Sequence, residues 1–332
     1  MGGVAVYSAF ALTSLVFLPL SPPVRGVLLG GLCAVVVGIV DELLTLPPLL
    51  HLIGQIGAAI VAMATGLGVL STISNPFGGL TQPGFTLPLA LGLLVTIFWL
   101  VAMMNTVNLL DGLDGLASGV AAITALLLVA WALERNHFSV PDMAHHEDLI
   151  LPIILAGALF GFLPYNFYRA SIFLGDSGSM FLGLALAALT IVGPAKLGTA
   201  LLVLSIPVLD VAWAIVRRQL QGRSFAGGDK QHVYHRMLEL GMSHLATVLV
   251  LYAFVLALAV LDLALHKTEK FVAFVLFTGV AGVALVVLEL RSTRAGRQSE
   301  PIADQPSSRL ASPRHCQTPH GPPDHEGVDI SR

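Results

Sequence analysis

Four polar residues stand at steps of three where an apolar run ends. The stretch from Asn105 to Val120 reads NTVNLLDGLDGLASGV and places Asn105, Asn108, Asp111 and Asp114 directly after the apolar residues 87–104. Residues three apart on a helix are neighbours, so the four wind slowly around one helix end until two Asp-Gly pairs loosen the backbone. Their charge is out of place there. A helix C-terminus is the negative end of the macrodipole, and two carboxylates on it need a positive counterpart, such as a metal ion or an arginine. A polar helix end closed by Asp-Gly turns is the plain alternative. It accounts for one Asp-Gly pair better than for two pairs preceded by two asparagines.

A second group, FLGDSGSMFLG from Phe173 to Gly183, sets Asp176 between Gly175 and Gly178 just before a new apolar run. Small residues at a helix N-terminus leave backbone N–H groups for phosphate oxygens. Asp176 is a hard oxygen ligand of the kind Mg²⁺ shares with waters and substrate phosphates. Ser177 or Ser179 as a simple N-cap explains a serine but not the carboxylate between glycines. Taken with the nearby aspartates, the group suggests a Mg²⁺–diphosphate site. Asp41 and Glu42 end an earlier apolar run, where solvated acids are commonplace. Asp210 lies inside a run and is a functional candidate on that ground, although Arg217, two turns on, offers it a structural partner. The segment 220–244 carries Arg223, Asp229, Lys230, His232, His235 and Arg236. That mixture suits holding a diphosphate and assisting proton transfer, with a solvated basic loop as the alternative. No other Cys or His cluster joins His232 and His235 to make a zinc set.

These groups are carried by a chain whose bulk belongs in a bilayer. Of its 332 residues 55% are hydrophobic and 11% charged, outside the usual soluble range. Runs approaching the ~18–20 apolar residues that cross a bilayer as a helix recur along it. They predict an all-α, polytopic integral membrane protein with about ten transmembrane helices, near 4–20, 25–40, 49–70, 88–108, 115–133, 149–167, 178–193, 197–216, 246–266 and 270–290. Continuous rather than alternating apolarity argues against strands. Residues 1–290 form the expected membrane-embedded domain, and 291–332, rich in Pro, Ser, His and charge, read as a disordered cytoplasmic tail. Cys33 and Cys316 suggest neither a disulfide nor a metal site. Val4–Leu20 lacks the positive start of a cleavable signal peptide. The net charge of −3 says little about partners, and no nucleic acid is expected among them.

Lys and Arg divide 12 to 5 between alternate sides, half of the 12 in the tail, and the richer side is cytoplasmic by the positive-inside rule. The clusters VDELLTL, NLLDGLDG, FLGDSGS and RRQLQGRSFAGGDKQHVYHR all fall on that side. The opposite loops SNPFGGLTQPG and ERNHFSVPDMAHHED carry no comparable array. The catalytic loops are therefore expected on the cytoplasmic face, and this agreement weighs more than any one cluster.

With these residues in view, the chain resembles the polyprenyl-phosphate N-acetylhexosamine-1-phosphate transferases, integral membrane enzymes that move a sugar 1-phosphate from a UDP-sugar to a lipid phosphate. The similarity runs from about Gly2 to about Leu290. It rests on N-x-x-N-x-x-D-G-x-D-G-L-A at Asn105–Ala117, F-x-G-D-x-G-S-x-F-L-G at Phe173–Gly183, P-x-x-D at Pro207–Asp210 and D-x-x-H-x-x-H-R at Asp229–Arg236. Four ordered motifs of this kind are highly specific.

The resemblance implies roles. Asp176 and Asn108 are the expected ligands of Mg²⁺, with Mn²⁺ as the alternative ion. Asp111 and Asp114 are expected catalytic residues lining the nucleotide and diphosphate cleft, with Asn105 and Gly175 among the substrate-binding groups. Phe173 is expected against the uracil ring, and Asp229, His232, His235 and Arg236 around the sugar or diphosphate. Asp41, the third expected catalytic residue, matches the first of an acidic pair near the lipid phosphate, where it either deprotonates or orients the acceptor. Three positions depart from the usual pattern. Glu42 replaces an Asp, His51 replaces a basic residue before L-x-x-Q (Leu52–Gln55), and Tyr234 replaces the middle histidine of H-x-H-H. Tyrosine is a neutral donor at pH 7 and supplies no cation. Family members also carry a further helix and a basic cytoplasmic loop before the Gly-Gly pair found here as Gly2-Gly3. Such a segment is expected ahead of the sequence in hand; a chain without it would lack those phosphate-binding residues.

The expected activity is Mg²⁺-dependent transfer of GlcNAc 1-phosphate from UDP-GlcNAc to undecaprenyl or decaprenyl phosphate in the plasma membrane, with release of UMP, as the first membrane step of cell-envelope polysaccharide synthesis. The partners implied are the UDP-sugar, the polyprenyl phosphate, the bilayer and a second copy of the chain in a homodimer. The basic loop is closer to the GlcNAc branch than to the phospho-MurNAc-pentapeptide transferases, which show three consecutive histidines. A transporter is the rival from another class. It predicts polar groups near the bilayer midplane, whereas most here gather at one surface.

Overall fold

The computed structural model describes residues 2–73, 85–135, 147–193, 233–239 and 241–265, with isolated positions between 269 and 279. Within them the apolar runs fold as helices: α1 (Gly2–Phe17), α2 (Pro22–Leu44), α3 (Pro48–Ala62), α4 (Leu89–Leu110), α5 (Leu116–Arg135), α6 (Glu147–Asn166), α7 (Gly175–Val192), a short α8 (Val233–Glu239) and α9 (His244–Ala264). Among the described residues, seven helices are long and apolar enough to cross a membrane: α2 to α7 and α9. α3 reaches that length with its π-helical continuation, Met63–Leu67. The span expected at 4–20 is described as the 16-residue α1, which closes at Phe17. It ends there because Ser21 already caps α2, whose first residues are Pro22 and Pro23. The expected spans 197–216 and 270–290 lie outside the described residues, apart from isolated positions in the second. A two-residue antiparallel pair, Thr72–Ile73 with Phe85–Thr86, departs from the expectation of no strands. A pairing this short leaves no alternation to read in the sequence. The chain divides into two units, Met1–Val286 and Val287–Arg332; the second lies outside the described residues.

α7 is the axis of the first unit. Its residues Ser177 to Thr190 are buried without a break, because α1, α2, α4, α5 and α6 all pack on it. Lipid tails are as apolar as leucine, so helices in a bilayer associate through close packing, which small residues permit. Three contacts here are backbone to backbone. Gly3 of α1 lies on Gly178, Gly38 of α2 lies on Ser177, and Gly183 lies on the Met103–Met104 backbone of α4; none has room for a Cβ. Larger side chains then fill the gaps. The Phe181 ring meets those of Tyr7 and Phe10 at 5.2 and 5.5 Å. Trp99 of α4 donates its indole N–H to Thr190 Oγ1 at 3.2 Å. On the far side, α5 packs on α6 and α9.

The helices alternate in direction, so one end of the bundle collects the C-termini of α2, α4 and α6 and the N-termini of α1, α3, α5 and α7. Hydrogen bonds between those ends establish the grouping: Asp41 with His51, Gln55 with Asn105, Asn108 with Asp176, Ser118 with Asn166, and Gly2 N–H with the Phe173 carbonyl. Three of the four polar clusters singled out in the sequence therefore share one face.

The same substitution should have different effects on two helices. A Cβ at Gly183 would fall 2.5 Å from the Met103 carbonyl oxygen, whereas nothing lies within 4 Å of one at Gly157 of α6. Gly183→Ala is expected to lower unfolding stability in detergent by about 1–3 kcal/mol. Gly157→Ala should leave it unchanged or raise it by up to ~1 kcal/mol. Equal thermal midpoints would contradict the contact at Gly183.

Candidate active site

The site is organised by the first turn of α7. The opening N–H groups of a helix have no partner within it, and here carboxylates from two other segments take them. Asp111, just past α4, accepts from the Gly175 N–H. Glu42 Oε1, from the end of α2, accepts from Ser177 N at 3.0 Å and from Ser177 Oγ at 2.9 Å. Asp111, at the negative end of α4, thus meets the positive end of α7 through a carboxyl oxygen. Gly175 gives its N–H to this carboxylate. Its φ of +73° suits glycine, and Glu42 Oε1 occupies the place a Cβ would take.

Asn108 ties α4 to the same turn. Its Nδ2 donates to Asp176 Oδ1 at 2.8 Å and to Ser179 Oγ at 3.0 Å. Both amide hydrogens are then committed, and the atom left for a ligand is Oδ1. With the Asp176 carboxylate this makes a pair of hard oxygens from two helices. Among the described residues, no three His, Cys, Asp or Glu side chains converge into a closed metal cage. That donor set does not suit structural zinc. It fits Mg²⁺, which takes one or two carboxylates and completes its shell with waters and phosphate oxygens.

The surroundings are acidic. Burial pushes the Asp111 carboxyl up to about 8; the Asp176 charge adds to this, as do Asp114 and Glu42, while the Gly175 N–H works the other way. Asp114 accepts from Ala170 N at 3.1 Å through Oδ2 and so holds the loop after α6. Buried Asn166 holds that loop from the other side, accepting from Ser118 Oγ at 2.6 Å and donating to Ile172 O at 3.0 Å. The loop presents the Phe173 ring, 66% exposed.

Asp41 stands at a sharp corner between α2 and α3. Its backbone carbonyl accepts from Thr45 N, and its Oδ1 accepts from Leu46 N at 2.8 Å. Its Oδ2 lies 2.7 Å from His51 Nδ1. His51 Nε2 lies 2.9 Å from Gln55 Nε2, and Gln55 Oε1 accepts from Asn105 Nδ2 at 2.7 Å. The expected residues Asp41 and Asn105 are therefore joined through two side chains that were not expected to form part of the site.

The turn between α4 and α5 is clamped by two tyrosines. Buried Tyr234 of α8 puts its hydroxyl where a Cβ at Gly112 would be. Tyr252 of α9 donates to the Gly115 carbonyl and lies against Gly119. Docking through Tyr234 brings α8 to the aspartate turn, with the His235 ring 4.4 Å from that of Tyr234. The backbone of Arg236 lies in α8; its side chain, together with Asp229, His232 and Asp210, lies outside the described residues. Asp41, Asn105, Asn108, Asp111, Asp114, Gly175 and Asp176 form one array. Gln55, Ser179 and Tyr252 were missed in the sequence, although His51 and Gln55 stand at helical i, i+4 spacing.

Residues 24–194 match the family described as glycosyl transferase family 4. Across the chain, similarity extends to the decaprenyl-phosphate N-acetylglucosaminephosphotransferase of Mycobacterium tuberculosis (strain H37Rv), 38% identical over 77% of this chain and 69% of that protein. A Bacillus subtilis (strain 168) protein named "Probable undecaprenyl-phosphate N-acetylglucosaminyl 1-phosphate transferase" is 32% identical over 83% of this chain and 76% of its own length. The phospho-N-acetylmuramoyl-pentapeptide-transferase of Desulforudis audaxviator is 36% identical over 64% of this chain and 63% of that protein.

The charge of the site yields a pH prediction. The Asp111 carboxyl is raised from 3.8 to about 8, so between those values the folded protein holds a proton that the unfolded chain releases. Stability is then lost as pH rises through that window. Asp111→Asn removes the effect. In cation-free detergent solution its stabilisation over the parent should grow from pH 4 to pH 8 and flatten above. Thermal unfolding across pH checks this, and a pH-independent difference would contradict it.

Proposed function

We infer the function of this chain from its family and its site: it belongs to glycosyl transferase family 4 and transfers N-acetylglucosamine 1-phosphate from UDP-N-acetylglucosamine to a polyprenyl phosphate. The observation that carries the reading is the meeting of Asn108 and Asp176, 2.8 Å apart, on a helix end shared with Asp111. The names of the Mycobacterium tuberculosis and Bacillus subtilis relatives support the acceptor and the sugar.

An oxygen of the lipid phosphate bonds to the β-phosphorus of the nucleotide sugar. The bond from that phosphorus to the bridging oxygen breaks, and UMP departs with that oxygen. Mg²⁺, when bound, supplies charge neutralisation at the diphosphate and at departing UMP. Asn108 Oδ1 and the Asp176 carboxylate are its protein ligands. Asp111 and Asp114 line the diphosphate cleft and hold its two walls, α7 and the loop after α6, in register. Asp41, gripped by Leu46 N–H and His51, serves the acceptor phosphate as general base for its remaining proton. Phe173 offers a ring face to uracil. Asn105 offers its Oδ1, and the resemblance assigns Asp229, His232, His235 and Arg236 to the sugar and diphosphate. Positioning and electrostatics do most of the work. The site faces the cytoplasm at the plasma membrane, as the Lys and Arg distribution supports.

The test is UMP release by purified protein in detergent or vesicles. Release is expected with UDP-N-acetylglucosamine only when polyprenyl phosphate and Mg²⁺ are both present. Asp176→Asn should reduce it by about 100-fold or more. Release from UDP-MurNAc-pentapeptide instead would replace this donor with the one used by the pentapeptide transferases. No release from either donor, with Asp176→Asn indistinguishable from the parent, would overturn the reading.

A further inference from the structure

We propose that His51 and Gln55 are positioning residues that join Asp41 to Asn105 in one polar relay and hold the Asp41 carboxylate ready for the acceptor phosphate. The inference rests on the transferase reading of the site. It begins from a backbone carbonyl, whose role is unambiguous. Asn105 Nδ2 donates to Val101 O at 2.8 Å, which identifies that atom as the nitrogen. The same Nδ2 donates to Gln55 at 2.7 Å, so the Gln55 atom facing it is the oxygen. The other end of the Gln55 amide is then its NH₂, and it points at His51 Nε2, 2.9 Å away. A donor facing Nε2 leaves that nitrogen without a proton. The neutral imidazole carries its proton on Nδ1, and that N–H donates to Asp41 Oδ2 at 2.7 Å.

Every link thus has one direction. Gln55 is only 1% exposed, so its amide cannot turn over without leaving polar groups unpaired in a buried place. A second proton on His51 would set donor against donor at Nε2. The relay therefore selects one tautomer of one histidine and aims one N–H at one carboxylate. The other acids of the site do not enter it. Glu42 is turned to Ser177 and Asp111 to Gly175, while Asp176 is bonded to Asn108 and lies within electrostatic reach of both Asp41 and His51. The consequence for Asn105 is equally specific. Both its amide hydrogens are used, and the oxygen it can offer to substrate is held in place by a chain that ends at the acceptor-side carboxylate.

Two measurements test the relay, and one does not depend on turnover. The imidazole ¹⁵N resonances of the full chain in detergent, assigned by their loss in His51→Asn, should show a protonated Nδ1 and an unprotonated Nε2 at neutral pH. The opposite tautomer, or an imidazolium, would overturn the proposal whatever the activity. In the UMP-release assay, His51→Phe should lower kcat/KM for polyprenyl phosphate by about 10–100-fold, the range for an outer partner of a functional group. KM for UDP-N-acetylglucosamine should change less, because Asn105 keeps its bonds to Gln55 and to Val101 O. His51→Asn, which keeps a donor near Asp41, should recover part of the loss. Gln55→Glu places a carboxylate against Nε2, favours the imidazolium, and should move the acidic limb of the pH–rate profile to lower pH. A residue that only packs would change stability without moving that limb. An unmoved limb in a folded Gln55→Glu protein, or His51→Phe with parental kcat/KM, would overturn the relay. Absence of turnover in the parent would instead fall on the transferase reading and leave the resonance test standing.

Discussion

The structure depends on three places where helices touch α7 with nothing but backbone between them. At Gly3, Gly38 and Gly183 the separation leaves no room for a side-chain carbon. In a bilayer no hydrophobic drive pushes helices together, and such contacts supply association and a unique register. All three lie on α7 within about two turns of Asp176. The acid inherits its position from them, and so do Asp41 and Asn108, which arrive on α2 and α4. Reactions that proceed by positioning lose large factors for displacements near 1 Å. A frame of mutually touching backbones is the stiffest support a membrane helix can give.

That frame turns a repulsive set of charges into an ordered one. Asp41, Glu42, Asp111, Asp114 and Asp176 would repel one another if they were merely close. Each instead accepts a specific hydrogen: Asp41 from Leu46 N–H and His51, Glu42 from Ser177, Asp111 from Gly175, Asp114 from Ala170 and Asp176 from Asn108. The donors are mostly backbone groups at helix ends and corners, which lack partners of their own. The asparagines spend both amide hydrogens inward and keep their oxygens for ligands. The site as a whole is rich in oxygen acceptors, a chemistry suited to a small divalent cation and to the hydroxyl groups of a sugar.

Much of this was legible in the sequence because its signals were local. Steps of three placed Asn108 and Asp111 on one helix end, and the Gly-Asp-x-Gly stretch marked the start of α7. Alternating topology put four clusters on one face, and three of them are found together there. Contacts between distant segments were hidden. Nothing in NLLDGLDG says that Asp111 will meet the amides of α7 instead of an arginine. Glu42 looked like an imperfect aspartate; its extra methylene lets it reach Ser177 from the end of α2. His51 looked like a weakened basic residue, and only the orientation of Gln55 shows it as a directed donor. The first expected span, 4–20, closes at Phe17 for a local reason, since a serine cap and two prolines begin α2.

The seat of Tyr234 on Gly112 has a consequence for how such a chain can change over time. The phenol fills the space that any side chain at position 112 would need, so position 112 is not free to gain bulk alone. A lineage that gains bulk at 112 has to lose it at 234 first, and the reverse order passes through a form whose α8 is unseated from the aspartate turn. The bulk carried at 234 thus decides what position 112, far away in sequence and on a different element, can become.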